Sequence, residues 1–185
     1  MKKFALIFLI TFFTTITNAQ ITKGNWMVGG DGYYSNSSFE SKTKSNIVTS
    51  NSGSYDAAIR PNIGYFFADK LVIGLSTVTG ISKTNGNSTA VFSYGGGAFA
   101  RYYLLKTDKT INILTDISYQ YYLNSQTDDK ASVFVLKGGP VIFLNSSVAL
   151  ELTLNYGLTN LNSTFGTTTV NNYDFRIGLQ IHLEK

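Results

Sequence analysis

The chain of 185 residues contains no cysteine, two prolines and a single histidine. Without cysteine there is no disulfide scaffold, no thiol nucleophile and no cysteine-ligated zinc or iron–sulfur site. One imidazole, His182, excludes a multi-histidine metal centre. Charge is scarce as well: 14% of the residues are Asp, Glu, Lys or Arg, against about 25% in an average soluble domain. That is too little for a nucleic-acid binder or a charged tail, and a hydrophobic share of 43% is too high for disorder. Aromatics (14%) and glycine (17 residues) are what the chain has in quantity.

The longest apolar run lies at the start. Met1-Lys2-Lys3 precedes Phe4 to Phe13, and a polar stretch then ends at Ala19-Gln20. A charged n-region, a short h-region and small residues at Thr17 and Ala19 read as a secretory signal peptide over 1–19, leaving one domain over 20–185. The run is too short to cross a bilayer as a helix, which takes about 20 apolar residues. Cleavage would remove Lys2 and Lys3, so the net charge of +4 falls by two. A balance that small supplies no electrostatic reason for binding nucleic acid.

Beyond residue 20 the dominant period is two. Tyr173, Phe175, Ile177, Leu179, Ile181 and Leu183 share one face, opposed by Asp174, Arg176, Gly178, Gln180 and His182. Similar alternation occupies Val148–Leu158, Ile111–Tyr122 and Tyr55–Phe67, and weaker alternation Trp26–Tyr34, Leu71–Gly80, Ala90–Leu104 and Ser132–Leu144. The pattern predicts eight strands of about ten residues, the length a tilted strand needs to cross a bilayer. Connections alternate in length. The stretches 36–54, 81–89, 124–130 and 160–172 form a longer set; 68–70, 105–110 and 145–147 form a shorter one. Short turns on one side and long loops on the other are the habit of outer-membrane barrels, with both termini on the periplasmic side.

Alternation alone does not say which face meets solvent, and a soluble lipocalin-like barrel would bury the apolar one. Three features place the apolar face outward. Glycines gather on the polar face (Gly29, Gly64, Gly74, Gly95, Gly97, Gly139, Gly157, Gly178), where a narrow lumen needs room. The polar face carries nearly balanced charge: Asp31, Asp56, Asp116, Glu151 and Asp174 against Arg60, Arg101, Lys137 and Arg176. Balance suits a desolvated network, since an unpaired buried charge costs several kcal/mol. Aromatics gather near strand ends, with Trp26, Tyr34, Tyr65, Phe67, Tyr102, Tyr121, Tyr156 and Tyr173 as candidate interface residues. The expected architecture is an all-β, eight-stranded, antiparallel up-and-down transmembrane β-barrel.

Particular segments carry a resemblance. Pro61-Asn62-Ile63-Gly64-Tyr65-Phe66 followed by Leu71-Val72-Ile73-Gly74-Leu75 is similar to a hairpin of the small bacterial outer-membrane β-barrel proteins (OmpA/OmpX-like barrels). Phe99-Ala100-Arg101-Tyr102-Tyr103 resembles a strand of that group, and Phe175-Arg176-Ile177-Gly178-Leu179 its closing strand. The resemblance implies a Gram-negative outer-membrane location, with outer-membrane lipids and the barrel-insertion machinery as partners. Family barrels often end on an aromatic residue; this chain ends Leu183-Glu184-Lys185.

Chemistry is sparse. His182 lies near the end of the last strand, with Glu151 and Asn155 as candidate neighbours, and reads as a lumen histidine in a polar network. No Gly-x-Ser-x-Gly elbow accompanies it, Gly95-Gly96-Gly97 lacks the Lys-Ser/Thr of a phosphate loop, and Asp128-Asp129 reads as solvated loop charge. The expectation is a non-enzymatic barrel without a cofactor or metal. It has a filled lumen, and surface partners meet it through 36–54 and 160–172. A narrow solute or ion pore and a secreted soluble barrel are the alternatives.

Overall fold

The computed structural model describes residues 21–41, 50–84, 89–124, 130–163 and 166–185. The signal-peptide reading falls outside them. Eight strands follow in order: β1 (Trp26–Ser41), β2 (Ser50–Ala68), β3 (Leu71–Thr84), β4 (Val91–Tyr103), β5 (Ile111–Asn124), β6 (Lys130–Phe143), β7 (Val148–Ser163) and β8 (Gly166–Leu183). Each pairs antiparallel with its sequence neighbours, and β8 returns to β1 to close the barrel.

The apolar parity faces outward on every strand. Ile59, Leu75, Ile117, Phe175 and Ile177 are exposed, while Arg101, Asp116, Lys137, Glu151 and Arg176 on the other parity are buried. In water that exterior would be untenable; in hydrocarbon it is the required one. The aromatics form two belts. Trp26, Tyr65, Phe67 and Tyr102 ring the end that carries the termini and short turns, with Trp26 and Tyr65 stacked edge-on at 5.1 Å. Tyr34, Tyr121, Tyr156 and Tyr173 lie toward the opposite end, where Tyr156 and Tyr173 are 5.0 Å apart across β7 and β8.

The strands are longer than their hydrophobic alternation. They run from 13 to 19 residues, against about 9–11 needed to cross a bilayer. The excess lies at the end away from the termini. Most of 36–54 and 160–172, read above as loops, is ladder: β1 pairs with β2 as far as Ser41↔Ser50, and β7 with β8 as far as Ser163↔Gly166. Ser, Thr and Asn on both faces of these ribbons erase the parity contrast that reveals a strand in lipid, yet Thr and cross-strand polar pairs still support one in water. The pair Asn160↔Thr169 shows how, with Thr169 Oγ1 donating to Asn160 Oδ1 at 2.8 Å.

Two interruptions in the ladders coincide with the two prolines. Pairing of β2 with β3 lapses between Ile59↔Thr79 and Asn62↔Ser76, at Pro61. Pairing of β6 with β7 lapses between Gly138↔Leu154 and Val141↔Glu151, at Pro140. Proline has no N–H to give, so each site loses bonds without losing register.

The closing seam is the shortest. β1 and β8 pair from Trp26↔Leu183 to Gly32↔Ile177 and no further, although each strand continues with its other neighbour. Above Gly32 β1 stays on β2 and β8 on β7, while β2 remains paired with β3 as far as Ser54↔Thr84 and β7 with β6 as far as Lys130↔Asn162. With no bonds across the seam, the two sides follow their own twist and diverge. In a chain without cysteine this is directly testable. Val28→Cys with Ile181→Cys should oxidise to an intramolecular disulfide visible as a gel shift. Asn36→Cys with Tyr173→Cys, at the same register beyond the seam, should stay reduced. Equal cross-linking of both pairs would show that the strands remain side by side.

Candidate functional site: the layered lumen

Alternation sends every second side chain of eight strands into one narrow space, and the residues sort there into layers. Nearest the termini is an aromatic floor. Phe66, Tyr103, Phe143 and His182 are buried together, with His182 centred 5.8 Å from Phe66 and 5.4 Å from Phe143. The Tyr103 hydroxyl lies 3.3 Å from His182 Nε2. Met27, Val72, Leu114, Val141 and Ala149 fill the gaps.

Ile21 completes this floor, and no periodic signal pointed to it. The segment ahead of β1 turns under the barrel: Gly24 N donates to the Phe66 carbonyl at 2.9 Å and Lys70 N to the Ile21 carbonyl at 2.8 Å. Ile21 is fully buried in the cluster as a result. His182 faces the lumen at the end carrying the termini, but its neighbours are not the ones spacing suggested. Its neighbours are aromatic, whereas Glu151 pairs with Arg101 and Asn155 bonds to Thr153 and Asp174. The β7–β8 register sets Glu151 opposite Gly178 and Asn155 opposite Asp174, which leaves His182 beyond the reach of both.

Above the floor lies the charge layer. Arg101 reaches Asp116 at 3.0 Å and Glu151 at 2.6 Å. Lys137 reaches Asp31 at 3.0 Å and Asp116 at 3.7 Å. Asp31 is approached further by Arg60 at 3.7 Å and Arg176 at 3.9 Å, and Arg176 holds Asp174 at 2.6 Å. Strand register builds this directly: Asp31 sits opposite Arg60, and Asp116 lies between Arg101 and Lys137 on its two neighbours. Eight of the nine charges predicted to face the lumen are thus joined. Asp56 shares the inward face of β2 but lies two positions above Ala58, half-buried, and makes no ion pair with the others among the described residues.

Glycines make the space. A Cβ on Gly74 would stand 2.5 Å from Cζ of Phe99, whose ring lies across the lumen beside Arg101 at 5.6 Å. A Cβ on Gly178 would stand 3.3 Å from Asp31 and from Glu151.

The layer is nearly solid. The cavity between Asp31, Asn62, Arg101, Asp116, Gln120 and Lys137 measures about 20 Å³, room for about one water. Beyond it, toward the ribbons, a vestibule of about 350 Å³ is lined by Tyr33, Arg60, Tyr122, Lys130, Val133, Leu161 and Arg176, among others. The described residues contain no group of three or more metal-ligating side chains.

Removing one member of such a network strands its partners in low dielectric. Arg101→Met should lower stability by about 3–5 kcal/mol, read as a lower urea midpoint for loss of heat-modifiable gel mobility. Combining it with Asp116→Asn and Glu151→Gln should restore much of the loss. An unchanged midpoint for Arg101→Met would show that the pairs hold nothing together.

Comparison with known proteins returns fold rather than family. No protein-family model matches the chain, and no curated protein matches it. Solved structures do. The outer membrane protein OprG from Pseudomonas aeruginosa superposes with a TM-score of 0.54 at 13% identity, over 90% of this chain and 100% of that one. Neisserial surface protein A superposes with a TM-score of 0.57 at 13% identity, over 86% and 97%. The fold is that of eight-stranded outer-membrane β-barrels.

Proposed function

We propose that this chain is a non-conducting integral barrel of the bacterial outer membrane, whose task is to hold two rigid β-ribbons outside the lipid. The observation that carries this reading is the blocked lumen: a charge layer with about 20 Å³ of free space stands over a fully buried aromatic floor. A hydrated ion needs a continuous water-filled path, and the inward side chains of an eight-stranded barrel leave none. The β1–β2 and β7–β8 ribbons extend the two longest stretches of polar sequence as paired backbone. They offer a preorganised surface, which loses less entropy on meeting a partner than a loop would.

Reconstitution into planar bilayers tests the blocked lumen. The expected record has no steady conductance. Arg101→Ala combined with Tyr103→Ala and Phe143→Ala, which removes the largest blocks from both layers, should open measurable current if the variant inserts. Steady conductance from the unaltered protein would favour the narrow-pore alternative and overturn the reading. The ribbons are tested by shortening β7–β8 through paired deletion of 160–163 and 166–169, which preserves register. The shortened barrel should still show heat-modifiable mobility, while cells carrying it lose adherence to surfaces or to one another. Unchanged adherence would remove the ribbon from that role.

A further inference from the structure

The vestibule above the charge layer has two chemically different walls. One is apolar, built by Val133, Val135 and Leu161 on β6 and β7. Facing it are Tyr33, Arg60 and Arg176 from β1, β2 and β8.

Arg60 is the unusual member. It is 8% exposed, and its Nε and Nη1 have no hydrogen-bond partner. Its guanidinium rests on the Tyr33 ring at 5.1 Å, and its one ion-pair partner in the network is Asp31, at 3.7 Å. That carboxylate is already shared with Lys137 and Arg176. Three cations therefore draw on Asp31, and the tightest contact belongs to Lys137 at 3.0 Å. Nε and Nη1 of Arg60 are enclosed, and Nη1 faces Asp31 Oδ1. The rest of the Arg60 side chain, with Arg176, lines one wall of the open cavity. Water in the vestibule would answer that positive charge but not the apolar wall opposite it. A ligand with an anionic head and an apolar body would answer both.

We propose that the vestibule is a binding site for a small amphipathic carboxylate. The carboxylate is received by Arg60, whose planar fork suits it, with Arg176 adding positive potential. The hydrocarbon body lies against Val133, Val135 and Leu161. A cavity of about 350 Å³ is at the small end of the ~300–1,000 Å³ typical of ligand pockets, so the body is a medium-length aliphatic chain or a single aromatic ring. The site is closed below by the charge layer, so the carboxylate is held there and not passed through. Binding does not depend on the ribbons' role and can succeed or fail separately from it.

The test uses the full barrel in lipid nanodiscs, with phenylacetate and octanoate as probes and empty nanodiscs to subtract partitioning. Calorimetry should show saturable binding of both probes, with acetate and octan-1-ol each at least tenfold weaker. Arg60→Gln should weaken phenylacetate at least tenfold while heat-modifiable mobility is kept. Val133→Asp, which sets a competing carboxylate in the apolar wall without touching the network, should do the same and covers the case in which Arg60→Gln fails to fold. Binding of octan-1-ol as tight as octanoate would show that charge is not read. Acetate as tight as phenylacetate would show that the apolar wall is not read. Undiminished affinity in a folded Arg60→Gln barrel, or no saturable binding by the unaltered one, would likewise overturn the proposal.

Discussion

Everything in this molecule depends on closing eight strands into a barrel inside a medium that hydrogen-bonds nothing. Hydrocarbon leaves each unpaired N–H or C=O at a cost of several kcal/mol, so the backbone must satisfy itself and the sheet must have no edge there. Closure with eight strands then determines the width of the lumen, and the width determines that side chains fill it. Arg101 between Asp116 and Glu151, and Asp31 beneath three cations, follow from that narrowness. Charges that could not be solvated individually are placed where register brings opposite signs within reach.

The same constraint explains where the barrel relaxes. Pairing lapses at Pro61 and Pro140, each for want of an N–H, and neither lapse shifts the register. Pairing between β1 and β8 stops at Gly32↔Ile177, close to the level of Tyr34 and Tyr173. Edges are tolerated only where water can reach them, and there the two terminal hairpins part and follow their own twist. The vestibule lies at this change of environment. It is low enough to be walled by Val133 and Val135 and high enough for Arg60 to face open space.

Much of this was legible from residue order. Parity placed Ile59, Leu75, Phe175 and Ile177 outside and eight members of the charge network inside, because a period of two admits only two faces and an inverted barrel exchanges them as sets. The glycine positions were legible for the same reason, with Gly74 beneath Phe99 as the clearest instance. Other features left no local trace. Ile21 lies ahead of the first alternating segment and is buried by a turn beneath the barrel that no pattern in the chain announces. The polar ends of β1, β2, β7 and β8 looked like loops because alternation is visible only when one face meets lipid.

Sequence alone determined the architecture, the sidedness of every strand and the charge inventory of the lumen, since each follows from hydrophobic contrast between neighbouring residues. Tertiary structure alone decided who meets whom. Register joined Arg101 to Glu151 from β4 to β7, left Asp56 apart, surrounded His182 with rings in place of Glu151 and Asn155, and left two Arg60 nitrogens without a hydrogen bond. Those outcomes depend on how far each strand slides against the next. That offset is set by turns, prolines and closure acting together, and no single segment encodes it.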